Sequence, residues 1–276
     1  MISPSAETAI AFIVKSRRMR SVVRSPTKAT LLGWRMIEKL QGVVLRTIKY
    51  NDKNAIVRVY TDMHGVMAFL LPQGNGKVAR QRRALFQPLS LVEIVADIRQ
   101  GRDLYSIKEA RCLHPLHSLH TDPIKNAVAL FVTELLSAVI VEQERNPALF
   151  SFVAGSVLFL DRANDGIANF HICFLYNLGV FIGIEPDRDT YRPGCVFDME
   201  GGVFSSCRPV HGHYVEGVEA EAVYRLSRIT YANMHLFRFN RGQRNRLLQL
   251  TLDYYRLHNS ALGELHSPAV LADLFS

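Results

Sequence analysis

Gln73-Gly74-Asn75-Gly76-Lys77-Val78-Ala79-Arg80-Gln81-Arg82-Arg83 is the longest break in a stretch that otherwise alternates apolar and polar residues from Gln41 to Leu113. The alternation has period two in Val43-Val44-Leu45-Arg46-Thr47, Ala55-Ile56-Val57-Arg58-Val59-Tyr60, Val66-Met67-Ala68-Phe69-Leu70-Leu71, Leu91-Val92-Glu93-Ile94-Val95-Ala96 and Tyr105-Ser106-Ile107-Lys108-Glu109-Ala110, which predicts five short strands. The breaks between them carry turn residues: Asn51-Asp52, Asp62-Met63-His64-Gly65 and Gln100-Gly101. Five such strands suit a small closed barrel of the OB type, whose loops and one face commonly bind nucleic acid. The Gly-bearing break then reads as a flexible loop, and its Lys77, Arg80, Arg82 and Arg83 as phosphate contacts. Arg46, Lys49 and Arg58 join them where their strands turn them to the same face.

Outward from the barrel, charge is uneven. The chain of 276 residues is 48% hydrophobic, enough for real cores, and carries a formal charge of +8. Residues 1–35 hold seven basic residues against one acidic, residues 36–118 thirteen against seven, and residues 119–276 thirteen against seventeen. The barrel is basic and the remainder is not. Residues 1–35 read as a disordered or non-native extension, with Met36 as the natural start. Four scattered cysteines and no long apolar run fit a cytoplasmic protein with no membrane attachment.

From Pro123 the apolar period changes to that of helices, opening with Pro in a first turn. Pro147 opens a second helix, Asn169–Ile182 is apolar nearly all round and so the centre of a bundle, and shorter helices follow near Glu219–Ile229, Arg241–His258 and Pro268–Phe275. Two hydrophobic pieces around Glu200-Gly201-Gly202 predict a β-hairpin over 191–209. The expected class is α+β: a five-stranded OB-type barrel over 36–118, then a helical domain over 119–276 with an inserted hairpin.

Enzyme signatures are weak. Gly74-x-Gly76-Lys77 lacks the full phosphate-loop spacing, and Val78 stands where a magnesium-binding hydroxyl belongs. There is no Gly-x-Ser-x-Gly, no His-Glu-x-x-His and no suitable carboxylate pair; Asp187, Asp189, Asp198 and Glu200 read as solvated turn residues. A non-enzymatic scaffold whose basic barrel grips acidic proteins is the alternative to DNA binding.

The order and spacing of Gly42-Val43-Val44-Leu45-Arg46-Thr47 with Tyr50, Ala55-Ile56-Val57, His64-Gly65, Leu85-x-Gln87-Pro88, Leu91-Val92-Glu93, Ile182-Gly183-Ile184-Glu185-Pro186, Leu252-x-Tyr254-Tyr255-Arg256-Leu257-His258 and Gly263-Glu264-Leu265-His266-Ser267 resemble the bacterial RecO family of recombination mediators. The resemblance spans residues 36–276. It implies a protein of the RecF-type repair pathway that binds single- and double-stranded DNA and anneals strands. It also implies contacts with RecR and with the single-stranded DNA-binding protein, and help in loading RecA.

Many members hold zinc with two Cys-x-x-Cys pairs in the hairpin region. This chain departs from them: only Cys195 and Cys207 are present, neither with a partner three residues away. The set Cys195, Cys207, His211 and His213 is the one four-ligand alternative, at a spacing unlike a finger. The expectation is a hairpin without cofactor whose small core is Phe197, Val203 and Phe204.

From Ala222 to Thr251 there is no Asp or Glu, while Arg225, Arg228, Arg238, Arg241, Arg244 and Arg246 are interleaved with Leu226, Phe237 and Phe239. Arg241 and Arg244, three apart, share a helix face. Such a basic, apolar surface suits an acidic tail peptide, and the resemblance implies the C-terminal tail of the single-stranded DNA-binding protein. The alternative is that these arginines cap helices or pair with Glu216, Glu219 and Asp253.

Overall fold

β1 (Arg35–Lys49) is the strand on which the barrel closes. In the computed structural model, which describes residues 35–99, 101–140 and 144–274, its first half pairs with β4 (Leu91–Arg99) and its second half with β2 (Asn54–Thr61), both antiparallel. β3 (Gly65–Pro72) follows β2 as a hairpin partner, and β5 (Leu104–His114) pairs antiparallel with β4 and parallel with β3. The order β1-β2-β3-β5-β4 returns on itself, giving the expected closed barrel. A register shift between Val44 and Arg46 bends β1 from one neighbour to the other. Gly42 sits where the two pairings overlap, and a Cβ there would lie 2.3 Å from Val59 Cγ1, so a larger residue would displace a buried core side chain.

Inside the barrel lie Leu40, Val44, Val57, Val59, Phe69, Val92 and Ile94. β1 and β5 are longer than the alternation alone suggested, because their ends pair with β4 even where their side chains are exposed. Arg35 already belongs to β1, and the rest of the expected N-terminal extension lies outside the described residues.

Contacts divide the chain into two units, residues 1–116 with 142–157 and residues 117–141 with 158–276. The first is the barrel with α1 (Lys77–Leu85) and the opening of α3 (Pro147–Arg162), where Phe150 packs 5.8 Å from the Tyr60 ring.

The second unit is built around α4 (Ile167–Phe181), buried from Asn169 to Tyr176 as its all-round apolar sequence predicts. α2 (Pro123–Val139), α5 (Val218–Leu226), α6 (Arg241–His258) and α7 (Ser267–Leu274) complete the helices. The predicted hairpin is a three-stranded sheet: β6 (Val196–Asp198) lies between β7 (Val203–Ser205) and β8 (Tyr214–Val215), so the expected span 191–209 stops short of its third strand. Two residues are too few to show an alternation, and β8 exists because Phe197 and Asp198 offer it a free edge. Phe197 and Phe204 are buried as expected but Val203 is only half-buried, and the core also takes Val215 from β8 and Leu250 and Tyr254 from α6. Gly202 turns at φ +67° with a would-be Cβ 2.8 Å from the Tyr254 hydroxyl, a second position that only glycine fills.

No helix of the described residues is long and apolar enough to cross a membrane.

Asp161 is the most heavily used acid of this unit. It is 6% exposed, and its carboxylate accepts from the backbone N–H groups of His117, Ser118 and Leu119 at 2.8–3.1 Å. Lys125, 3% exposed, donates from Nζ to the Asp161 carbonyl and to Ser118 Oγ, each at 2.8 Å. Burial opposes ionisation of Asp161, but the three N–H groups and the Lys125 charge outweigh it and hold the carboxyl below its ordinary value of 3.8. A depressed carboxyl contributes stability above the unfolded value that is lost as pH falls through the folded value. Asp161→Ala is expected to destabilise the protein by about 2–4 kcal/mol at neutral pH, since it leaves the N–H groups of residues 117–119 without their acceptor and removes a negative charge near buried Lys125. Lys125→Met in the same chain should recover part of that loss, and the wild-type advantage over Asp161→Ala should shrink below about pH 4, both read from urea unfolding.

Candidate nucleic-acid interface

The segment expected to be a flexible loop is a helix. α1 runs from Lys77 to Leu85 with Gly76 as its extended N-cap. The glycines at 74 and 76 end just before it, and every residue from Ala79 to Leu85 is a good helix former. Arg82 and Arg83 fall in its last turn, where cations interact favourably with the helix dipole. Its anchor is apolar: Phe86 is buried in the barrel core and Leu85 packs partly against it.

With about 100° per residue, Lys77, Arg80 and Arg83 fall within an arc of roughly 120°, and Arg82 lies outside it. All four are exposed. Arg83 Nη1 donates to the Gly74 carbonyl at 3.0 Å, and Lys77, Arg80 and Arg82 have no ion-pair partner among the described residues. The structure therefore brings three of the four predicted cations onto one rigid face.

On the strands, Arg46 stands directly opposite Arg58 across the β1–β2 ladder. Like charges in that position destabilise a sheet, and neither has an acidic partner among the described residues, so an anion between them would relieve the repulsion. Lys49 is instead held by Asp52 at 2.9 Å.

One feature that single-residue reading misses is a cleft of about 520 Å³ between the β1–β2 turn and α1. Lys49, Asn51, Gln73, Asn75, Arg83 and Gln87 contribute to its lining. These residues are far apart in sequence, and the β1–β2–β3 pairing with the return of the chain after α1 puts them around one space.

In the helical unit the arginines are mostly occupied. Arg246 binds the Glu219 carboxylate through two nitrogens, a pairing that lowers the Glu219 pKa, and Arg225 binds Glu221 at 2.6 Å. Glu216 goes to Arg208 and Asp253 to Arg256. Arg241 and Arg244 do not present together: Arg241 lies 3.6 Å from Asp273, while half-buried Arg244 donates to the Phe239 carbonyl at 2.8 Å. The acid-free stretch 222–251 left these partners out because they come from α5 before it and α7 after it. Arg228 lies over the Tyr224 ring, 5.0 Å from its centroid, and donates to its hydroxyl. Arg238 is exposed, with no hydrogen-bond or ion-pair partner among the described residues. Two adjoining clefts of about 440 and 560 Å³ share Arg225, Phe239 and Gln243, with Arg246 on one and Arg228, Phe237 and Arg238 on the other.

The suggested metal ligands do not converge. Cys195 is buried against Phe197 and Met199, while Cys207 is exposed. His211 Nε2 faces Asp198 at 3.3 Å and His213 Nε2 faces Glu200 at 3.8 Å, and Asp198 is itself committed to the turn by accepting from the N–H groups of Glu200 and Gly201. Among the described residues no group of three His, Cys, Asp or Glu side chains is placed to hold a metal ion, so this chain does not fit the zinc site implied for many relatives.

Residues 36–116 match the family described as Recombination protein O N terminal, and residues 120–263 that described as Recombination protein O C terminal. Proteins named DNA repair protein RecO are similar along nearly the whole barrel and helical region. That of Phocaeicola vulgatus is 40% identical and that of Bacteroides fragilis 42%, each over 87% of this chain and 100% of the relative. That of Porphyromonas gingivalis is 35% identical over 87% of the chain.

The thiols provide a check on the site. Cys112 and Cys207 should react with a maleimide at once in the folded protein, and Cys173 and Cys195 only as fast as it unfolds, since burial also pushes the Cys173 thiol up and keeps it protonated. Protein purified without a histidine tag should carry no stoichiometric zinc by metal analysis; rapid labelling of Cys195 or a full zinc complement would contradict the geometry.

Proposed function

The chain belongs to the RecO family of DNA repair proteins, and on that premise we propose that it is a non-enzymatic recombination mediator that binds and anneals DNA strands and assists RecA loading onto single-stranded DNA coated by its binding protein. The observation that carries the DNA-binding reading is the row of Lys77, Arg80 and Arg83 on α1, free of acidic partners and fixed to a barrel that also sets Arg46 opposite Arg58. Cations so placed neutralise backbone phosphates and release counterions, which binds any sequence. Neutralising two backbones at once also lowers the repulsion between complementary strands, which is what annealing requires. RecR as a partner and the RecA step rest on the family resemblance.

The helical unit is assigned the acidic tail of the single-stranded DNA-binding protein. Support comes from the adjoining clefts, where the apolar faces of Phe237 and Phe239 lie beside Arg228 and Arg238. Arg225 is available by exchange, because a peptide carboxylate can replace Glu221 at an exposed pair held by only about 0–1 kcal/mol, while Arg246 is held by Glu219 through two nitrogens.

Replacing Lys77, Arg80, Arg82 and Arg83 by Ala should weaken binding to unrelated oligonucleotides alike and flatten the dependence of log affinity on log salt by roughly 0.7 to 0.9 per lost contact. A gel shift at several salt concentrations measures both, and an unchanged slope would move the interface off α1. If the wild-type chain shifts no oligonucleotide while binding acidic proteins, the scaffold reading replaces this one.

Arg228→Ala with Arg238→Ala should weaken an acidic tail peptide about tenfold or more in fluorescence anisotropy, since each loses a charge-assisted contact of about 1.5–3 kcal/mol at most. DNA affinity should change little. Equal loss of both activities would place this surface on the DNA path.

A further inference from the structure

The cleft between the β1–β2 turn and α1 is poorly suited to phosphate. Lys49 is paired with Asp52, and Arg83 gives the cleft one guanidinium nitrogen, bonded to the Gly74 carbonyl, while keeping its charge for the α1 face. What remains is neutral and two-sided. The side-chain amides of Gln73, Asn75 and Gln87 make no hydrogen bond among the described residues, and each offers both donors and an acceptor. Beneath them Ala55, Leu71 and Phe86, all buried core residues, supply an apolar floor. Free amides over an apolar floor match a flat heterocycle with polar edges better than they match an anion. At about 520 Å³ the cleft is within the range of small-ligand sites, roughly 300–1,000 Å³.

Its walls are held in place. Asn51 Oδ1 accepts from the N–H groups of Lys53 and Asn54 at 2.9 and 2.8 Å, Gln73 N–H donates to the Lys53 carbonyl at 2.7 Å, and Thr47 Oγ1 donates to the Phe86 carbonyl at 3.1 Å. Turn, strand and helix are thus tied to one another before any ligand arrives. Between the lining residues Lys49 and Asn51 stands Tyr50, with 61% of its surface exposed and its N–H fixed to the Asn54 carbonyl at 3.0 Å. A large aromatic ring left in solvent on a rigid turn has no packing reason to be there, and a stacking partner gives it one.

We propose that this cleft receives an unpaired base of single-stranded DNA, with Tyr50 stacking on the next base along the strand. The inference rests on the DNA-binding reading and deepens it: the α1 cations hold backbone of either form, while the cleft selects single strands, because a base in a duplex must leave its pair and its stack to enter.

The experiment uses the full chain with a single-stranded oligonucleotide and a duplex, each over a salt series. Tyr50→Ala should weaken single-strand binding about tenfold, leave duplex binding unchanged and keep the salt slope, because stacking is lost and no phosphate contact is. Tyr50→Phe should restore wild-type affinity. Gln73→Leu with Gln87→Leu, which keeps side-chain bulk but removes the amides, should likewise reduce single-strand affinity alone, with an unchanged melting temperature showing that the barrel is intact. Equal losses on both DNA forms, or none on either, would overturn the base pocket while leaving DNA binding by α1 standing. Failure of the wild-type chain to bind either oligonucleotide would remove the reading beneath it as well.

Discussion

Every feature of the barrel unit depends on β1 serving two partners. One strand can pair with β4 along its first half and β2 along its second only if the ladder changes register, which it does between Val44 and Arg46, and if the core side chain of Val59 has room at the crossover, which the bare Gly42 allows. A closed barrel has no free edge, so the turn that carries Tyr50 and the helix that carries Lys77, Arg80 and Arg83 are fixed relative to each other. The cleft they share follows from the pairing of β1, β2 and β3 and the return of the chain after α1, not from any one local sequence.

Electrostatics then sorts the cations by what surrounds them. Arg225, Arg241 and Arg246 in the helical unit each face a carboxylate, whereas Lys77, Arg80 and Arg82 on α1 face solvent. Exposed pairs contribute little to stability, so their main effect is on availability: an unpaired cation meets a ligand with no competitor, and a paired one must exchange. The overall charge of +8 conceals this division.

Burial sorts the polar groups in the same way. Asp161, Lys125 and Ser118 form a hydrogen-bonded set that ties residues 117–119 to the end of α3, and Glu134 on α2 accepts from the N–H groups of His266 and Ser267 at the start of α7. Such groups hold the framework and are satisfied by it. Gln73, Asn75 and Gln87 carry comparable chemistry and are left with bonds to make, which is why they are read as ligand-facing and the others as structural.

The sequence by itself determined the five strands, the α4 core and the order of the two regions, because period-two alternation and an all-round apolar helix are local patterns that burial imposes directly on the chain. It also placed the basic residues 77–83, but glycines at 74 and 76 masked the helix that follows them. Tertiary structure alone decided the rest. The two-residue β8 forms only because β6 offers an edge, Arg246 finds Glu219 twenty-seven positions away, and the lining of the cleft comes from three segments separated by strands and by α1. Those are contacts between parts of the chain that carry no mark of one another, since a hydrogen bond or an ion pair depends on where the fold puts two groups and leaves no periodicity behind.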